Sequence, residues 1–107
     1  MNIMNLKKWT YVFDEPTLLE SHMLASYPMG VNVLLARVGG IIYAVSGMCP
    51  HMACPLFTGR LDGYIITCPC HDWHFDIRTG KFLDASELGV AIYSTKSEDG
   101  KVYVSLQ

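Results

Sequence analysis

One stretch of this 107-residue chain constrains it more than any other: Cys49 to Asp76, C-P-H-M-A-C-P-L-F-T-G-R-L-D-G-Y-I-I-T-C-P-C-H-D-W-H-F-D. It holds all four cysteines and three of the four histidines. Its frame is C-x-H at Cys49 and His51, a segment from Met52 to Thr67, and C-x-x-H at Cys68 and His71. Two short Cys/His pairs on two loops can meet around one metal centre. Two thiolates and two imidazoles suit either zinc or an iron–sulfur cluster of mixed ligation.

The residues around this stretch read as short strands separated by turns. Trp9–Phe13 is aromatic and β-branched, hence a strand, and Asp14-Glu15-Pro16 breaks it. Pro16 suits the start of one helical turn over Thr17–Glu20. Met23–Tyr27 is a further strand, ended by Pro28-Met29-Gly30. Val31–Val38 and Ile41–Ser46 are strong strands joined by Gly39-Gly40, a two-residue hairpin signal. Gly59 and Asp62-Gly63 mark turns, and Tyr64–Thr67 is a strand leading into the second loop. Phe75–Ile77 and Lys81–Leu83 flank a hairpin at Arg78-Thr79-Gly80, and Asp84–Leu88 reads as irregular. Val90–Thr95 and Lys101–Leu106 form a last hairpin across Glu98-Asp99-Gly100. Strands at this spacing indicate an all-β sandwich or barrel. Each ligand pair then follows a strand, as functional loops on a rigid scaffold commonly do.

Length and charge narrow the classes. A chain of 107 residues leaves room for one core, so residues 1–107 are expected to be one domain. That core is large enough not to need cysteines merely as staples. Half the residues are apolar and 17% charged, which argues against disorder. A formal charge of −2 argues against a nucleic-acid partner. No apolar run approaches the roughly 20 residues of a membrane span. Met1 to Lys8 lacks the apolar segment of a secretory leader, and no twin-Arg signal is present, so the expected location is the cytoplasm.

C-P-H and C-P-x-H occur here with Leu56 and Gly59 after the first box, and with Trp73, Phe75-Asp76 and Thr79-Gly80 after the second. Together with I-Y-A-V before the first box, this pattern resembles the Rieske [2Fe–2S] proteins. The resemblance runs from about Val31 to about Leu83, and weakly to the last hairpin. It implies an antiparallel β sandwich or barrel with a cluster-binding subdomain of two loops, over about residues 47–83. It implies that Cys49 and Cys68 bind one iron of a [2Fe–2S] cluster and that His51 and His71 bind the other. With neutral imidazoles such an oxidised cluster carries no net charge, whereas a four-cysteine cluster carries −2. Its potential therefore lies higher, at roughly −150 to +300 mV against about −400 mV for plant-type clusters. Reduction makes the centre negative and favours protonation of His51 or His71. The tips of those histidines are the expected electron exit.

Cys54 and Cys70 remain. In high-potential Rieske proteins of respiratory complexes a disulfide joins these two positions, so the resemblance implies a Cys54–Cys70 bond; the alternative is two buried thiols. Those proteins also carry a Ser and a Tyr, both donating to sulfur, where this chain has Trp73 and Phe75. Asp72 stands where Gly is usual, and Asp tolerates left-handed backbone better than most residues. Fewer donors and an added negative charge should lower the potential. The expected type is thus mixed: the respiratory disulfide with the surroundings of a low-potential ferredoxin. His74 is expected to be a surface neighbour and His22 to be solvated. Met48, Met52, Leu56, Phe57 and Trp73 either wall the cluster from water or form an apolar docking rim, and both can hold.

The resulting expectation is a small one-electron carrier, not catalytic alone. The resemblance implies that it shuttles electrons between a reductase and a terminal enzyme such as an oxygenase; no spare 2-His-1-carboxylate set is evident, so it is not expected to hydroxylate a substrate itself. The competing readings are a structural Cys₂His₂ zinc module and a small subunit of a larger redox complex of the nitrite-reductase type. The wide ligand separation, without a C-x₂-C knuckle, counts against zinc.

Overall fold

The computed structural model describes residues 8–50, 54–70 and 72–106. In chain order the strands are β1 (Thr10–Asp14), β2 (Met23–Ser26), β3 (Val33–Val38) and β4 (Ile41–Ser46), then β5 (Arg60–Asp62), β6 (Ile65–Thr67), β7 (His74–Asp76), β8 (Lys81–Phe82) and β9 (Ala85–Gly89). The chain ends with β10 (Ile92–Glu98) and β11 (Lys101–Ser105). Three single 3₁₀ turns interrupt them at Glu15–Thr17, Pro28–Gly30 and Leu56–Thr58, and no α-helix occurs among the described residues. The strands form a six-stranded sheet, β1-β11-β10-β4-β3-β2, and a five-stranded sheet, β5-β6-β7-β8-β9. Every pairing between named strands is antiparallel. The all-β architecture expected from the strand spacing is the one observed.

β3 explains how two sheets share one small chain. Its run V-L-L-A-R-V is apolar at four consecutive positions, and Val33 to Ala36 are all buried. Successive side chains of a strand point to opposite faces. Leu34 and Ala36 enter a core with Val45, Leu56, Ile66, Phe75, Ile77 and Phe82, which lies between the two sheets. Val33 and Leu35 enter a second core with Phe13, Ile42, Ala44, Val102 and Val104. Apart from Leu18, that second core draws its buried members from the six-stranded sheet alone. Phe13 on β1 can meet Val33 on β3 only if this sheet curls round on itself, as a half-barrel does.

The β3–β4 hairpin turns through Gly39 and Gly40, whose φ angles are 64° and 79°. Two consecutive positive φ values are the requirement of a type I′ turn, which matches the natural twist of the strands. Asp99 and Gly100, at φ 54° and 77°, do the same between β10 and β11. The Glu20 carboxylate accepts hydrogen bonds from both turn amides, Gly39 N–H at 2.6 Å and Gly40 N–H at 2.9 Å. These bonds hold the Glu20 carboxyl below its ordinary value of 4.5. A carboxylate whose folded pKa is depressed stabilises the fold above its unfolded pKa, and the benefit is lost as pH falls through the folded value. Stability is therefore expected to drop between about pH 5 and pH 3, and Glu20→Gln should flatten that slope in thermal melts taken across the range.

Three segments differ from the sequence reading. The helical turn forms over Glu15–Thr17, with Pro16 inside it, while Leu18 is extended and buried in the second core. Arg37 fixes that earlier position: its Nε donates to Leu18 O at 2.7 Å and its Nη2 to Glu15 O at 2.9 Å. Asp62 carries a turn signal with Gly63 and Arg60-Leu61 carry no strand signal, but Arg60–Asp62 pairs with β6 as β5. Ala85–Gly89 was read as irregular, but it is β9, held to β8 across a register shift. No helix among the described residues is long and apolar enough to cross a membrane.

Candidate metal centre

Two loops leave the ends of β4 and β6 and close in the same way. In the first, Cys49 N–H donates to Cys54 O at 2.9 Å and Leu56 N–H to Gly47 O at 2.8 Å, beside an antiparallel bridge between Met48 and Pro55. In the second, Cys68 N–H donates to Trp73 O at 2.7 Å and Asp72 N–H to Cys68 O at 3.1 Å. Each loop thus begins with a cysteine whose amide is tied to the carbonyl five residues ahead. The second loop needs a left-handed residue at Asp72, where φ is 56°. Asp accepts that conformation more readily than most residues.

Cys54 and Cys70 form a disulfide with Cα atoms 6.5 Å apart, and this bond fastens one loop to the other. Cys49 and Cys68 lie outside it and are buried, at 1% and 0% exposure. The Sγ atoms of Cys54, Cys68 and Cys70 all lie within 4.8 Å of one another. Three clustered sulfurs suggest a thiolate metal site at first sight. Two of them are spent in the disulfide, however, and a thiolate is the form that ligates. The thiols that remain for a metal are Cys49 and Cys68, one at the start of each loop. Two buried thiols on two fastened loops fit the cysteine half of a mixed cluster. His51, Met52 and His71 lie outside the described residues.

The walls of the site are built from the core between the sheets, to which Cys49, Cys54 and Cys68 themselves belong. Phe75, 1% exposed, sits opposite Ile66 on β6 and Phe82 on β8. Trp73 stacks on Phe82 with ring centroids 4.3 Å apart and planes 9° apart. Trp73 is half-buried in this packing, and Leu56 is wholly buried. Met48 is half-buried, and its sulfur accepts a hydrogen bond from Asn32 Nδ2 at 3.0 Å. Of the described residues considered for wall or rim, Phe57 is the one left exposed. Walling thus accounts for most of them.

His74, expected as a surface neighbour, keeps partial exposure but is not a free surface side chain. It stands on β7 opposite Thr67, is half-buried, and its Nδ1 lies 2.9 Å from the Thr67 hydroxyl. Strand alternation puts it on the face of β7 opposite the buried Phe75, and the register with β6 brings it onto Thr67. His22 is exposed, as expected. Further along, Arg78 pairs with Asp76 at 2.8 Å and lies 4.0 Å over the ring of Tyr64. The guanidinium holds the Asp76 carboxyl below its usual range. This turn carries β8 back so that Phe82 meets Trp73.

Gly59, a turn signal and part of the pattern after the first box, has a steric task as well. A Cβ there would run into the Thr67 carbonyl oxygen and crowd Pro69 Cδ at 3.1 Å. The glycine lets the end of the first loop pass close to the start of the second. Gly59→Ala should force the loops apart and cost about 1–3 kcal/mol. Iron retained per protein should fall with it, measured after purification under identical conditions.

The chain matches the Rieske [2Fe-2S] domain over residues 8–94. It is 33% identical, over 92% of its length and 96% of the other's, to the ferredoxin component of a naphthalene 1,2-dioxygenase system from Pseudomonas putida. Its fold superposes with a TM-score of 0.86 on the ferredoxin of carbazole 1,9a-dioxygenase from Nocardioides aromaticivorans IC177, at 27% identity, covering 94% of this chain and 99% of that one. It also matches a chain in the complex of reduced oxygenase and oxidized ferredoxin in carbazole 1,9a-dioxygenase, with a TM-score of 0.83, 27% identity and 94% of each chain covered. The protein belongs to the Rieske [2Fe–2S] domain family. Within it the chain is of the ferredoxin kind, a one-electron carrier with a [2Fe–2S] cluster and not an enzyme by itself.

Proposed function

We propose that this protein is the ferredoxin component of an oxygenase system, taking single electrons from a reductase and passing them to a terminal oxygenase in the cytoplasm. The observation that carries this is the pair of buried thiols, Cys49 and Cys68, at the roots of two loops fastened by Cys54–Cys70. In this reading Cys49 and Cys68 hold one iron, and His51 and His71 hold the other. The chain acts as one domain, with about residues 47–83 as its cluster-binding part. When bound, the cluster supplies a centre that accepts and releases one electron. The chain's own residues hold that centre rigid and dry: Leu56, Phe75 and Phe82 exclude water from beneath, and the crossed amide bonds fix both cysteines. A rigid site needs little rearrangement when its charge changes.

The test is to purify the protein, assay iron, sulfide and zinc, and titrate the visible spectrum against potential with the cognate reductase and oxygenase present. A red-brown protein with a midpoint in the lower part of the range of about −150 to +300 mV, reducible by the reductase and oxidised by the oxygenase, is the expected result. A colourless, zinc-loaded protein that no iron and sulfide treatment converts would sink the reading. Asp72 tests the electrostatic part. Its side chain is exposed in the second loop, so Asp72→Asn keeps a residue tolerant of the left-handed turn and removes one charge. The midpoint should rise by an amount on the order of tens of millivolts, and the rise should shrink in high salt.

A further inference from the structure

Four exposed large apolar side chains lie on two neighbouring segments where the β2–β3 connection meets the first loop. Tyr27, Met29 and Val31 belong to that connection, and Phe57 to the 3₁₀ turn at Leu56–Thr58. Backbone bonds set the two segments side by side: Gly47 N–H donates to Asn32 O at 3.0 Å, and Leu56 N–H to Gly47 O at 2.8 Å. Asn32 Nδ2 also holds the Met48 sulfur. The connection is thus fastened to the root of the loop that begins at Cys49. Single exposed apolar residues are ordinary on a surface, whereas a group of them marks an interaction site. We propose that Tyr27, Met29, Val31 and Phe57 form a docking shoulder for the terminal oxygenase, beside the loops that carry the cluster.

Charge and backbone both single out this shoulder. Residues 21–59 contain one Asp, Glu, Lys or Arg, and it is Arg37. Arg37 lies toward the far end of β3, where it holds the carbonyls of Glu15 and Leu18. Both segments of the shoulder are therefore uncharged, and they fit a partner that presents an apolar, uncharged rim. Met29 is 81% exposed, the most of any large apolar side chain described. Its φ of 51° is left-handed, ahead of Gly30 at 80°, and the buried Pro28 anchors the turn. A non-glycine residue is uncommon in that conformation, and Gly or Asn would sit there with less strain. Such strain gathers at segments that contact ligands, and methionine adapts to a contact surface. An electron acceptor has to rest on the loops rooted at Cys49 and Cys68, so the shoulder continues that contact. An oxygenase is the partner with which a carbazole-dioxygenase ferredoxin of this fold forms a complex. The assignment rests on the ferredoxin reading above.

The test is stopped-flow oxidation of the reduced holoprotein by its cognate terminal oxygenase. Varying the oxygenase concentration separates Kd from the limiting transfer rate. Met29→Asn keeps a residue that tolerates the left-handed turn and removes the apolar side chain. Val31→Thr keeps the β-branched shape. The double variant should raise Kd about tenfold, with limiting rate, midpoint potential and visible spectrum unchanged. The loss should be the same at about 50 and about 300 mM salt, because an apolar contact is not screened. Phe57→Ser, on the other segment, should raise Kd in the same sense, so the proposal stays testable if the double variant fails to fold. Ile41→Thr removes an exposed apolar group next to the distant Gly39-Gly40 turn and should leave Kd unchanged. An unchanged Kd in the shoulder variants overturns the proposal. So does a loss that vanishes in high salt, or one that appears with the reductase and not with the oxygenase. A wild-type dimer that the double variant dissociates, seen by sedimentation, would assign the patch to a second copy and overturn it as well. Failure of the ferredoxin reading shows separately, as reduced wild-type protein that passes no electron to the oxygenase at any concentration.

Discussion

Phe75→Ala is expected to lower the unfolding free energy by about 3–5 kcal/mol and to leave a protein that loses iron on dilution. Phe75 is one of the largest side chains wholly buried in the structure. Its ring lies 5.6 Å from that of Phe82 and 6.3 Å from that of Trp73. It occupies the middle strand of the five-stranded sheet, between Ile66 and Phe82. The cavity left by alanine would open against the core that includes Cys49 and Cys68. Neighbours can collapse into it only by moving the strand that follows the second loop. The loss is large against the 5–15 kcal/mol that typically holds a domain together, so the melting temperature should fall by more than about 10 °C. Phe75→Leu, which keeps most of the apolar volume, should cost less than half as much. Thermal unfolding followed by circular dichroism, with iron assayed beside it, checks both. Equal melting temperatures for the wild-type and alanine proteins would mean that the five-stranded sheet does not depend on this ring.

Removing the disulfide is the second large effect. Cys54 and Cys70 are 16 residues apart, and cross-linking a loop of that length is worth about 3 kcal/mol through the unfolded chain. Alanine at both positions is the cleaner variant, because Cys54 is buried and serine would place a hydroxyl in an apolar setting. Besides the stability loss, the two loops are then joined only through the core beneath them. Iron release to a chelator should be several-fold faster than in the parent, at a temperature where both proteins are folded. Unchanged release would show that the walls, and not the cross-link, keep the loops together.

How much of this was legible in the sequence depended on how local the cause was. Gly39-Gly40 and Asp99-Gly100 announce their hairpins because a type I′ turn demands positive φ at two adjacent positions. β3 and β4 were legible because their apolar runs have few alternatives to a doubly buried strand. Arg60–Asp62 and Ala85–Gly89 were not. Their composition is that of turns, and they become strands because β6 and β8 present open edges to pair with. The helical turn near Pro16 was placed too late because Arg37, about twenty residues on, holds the carbonyls of Glu15 and Leu18.

The candidate site divides along the same line. The boxes C-P-H and C-P-x-H and the family they imply could be read from spacing and residue type, since such motifs are local properties of the chain. The Cys54–Cys70 pairing came only through that likeness, and the observed bond agrees with it. The gathering of the Cys68 sulfur near the disulfide, the pairing of His74 with Thr67, and the close pass that leaves no room for a side chain at position 59 depend on how two loops meet across two sheets. No local rule encodes such distances. They follow from strand register and core packing, which are settled jointly by residues far apart in the chain.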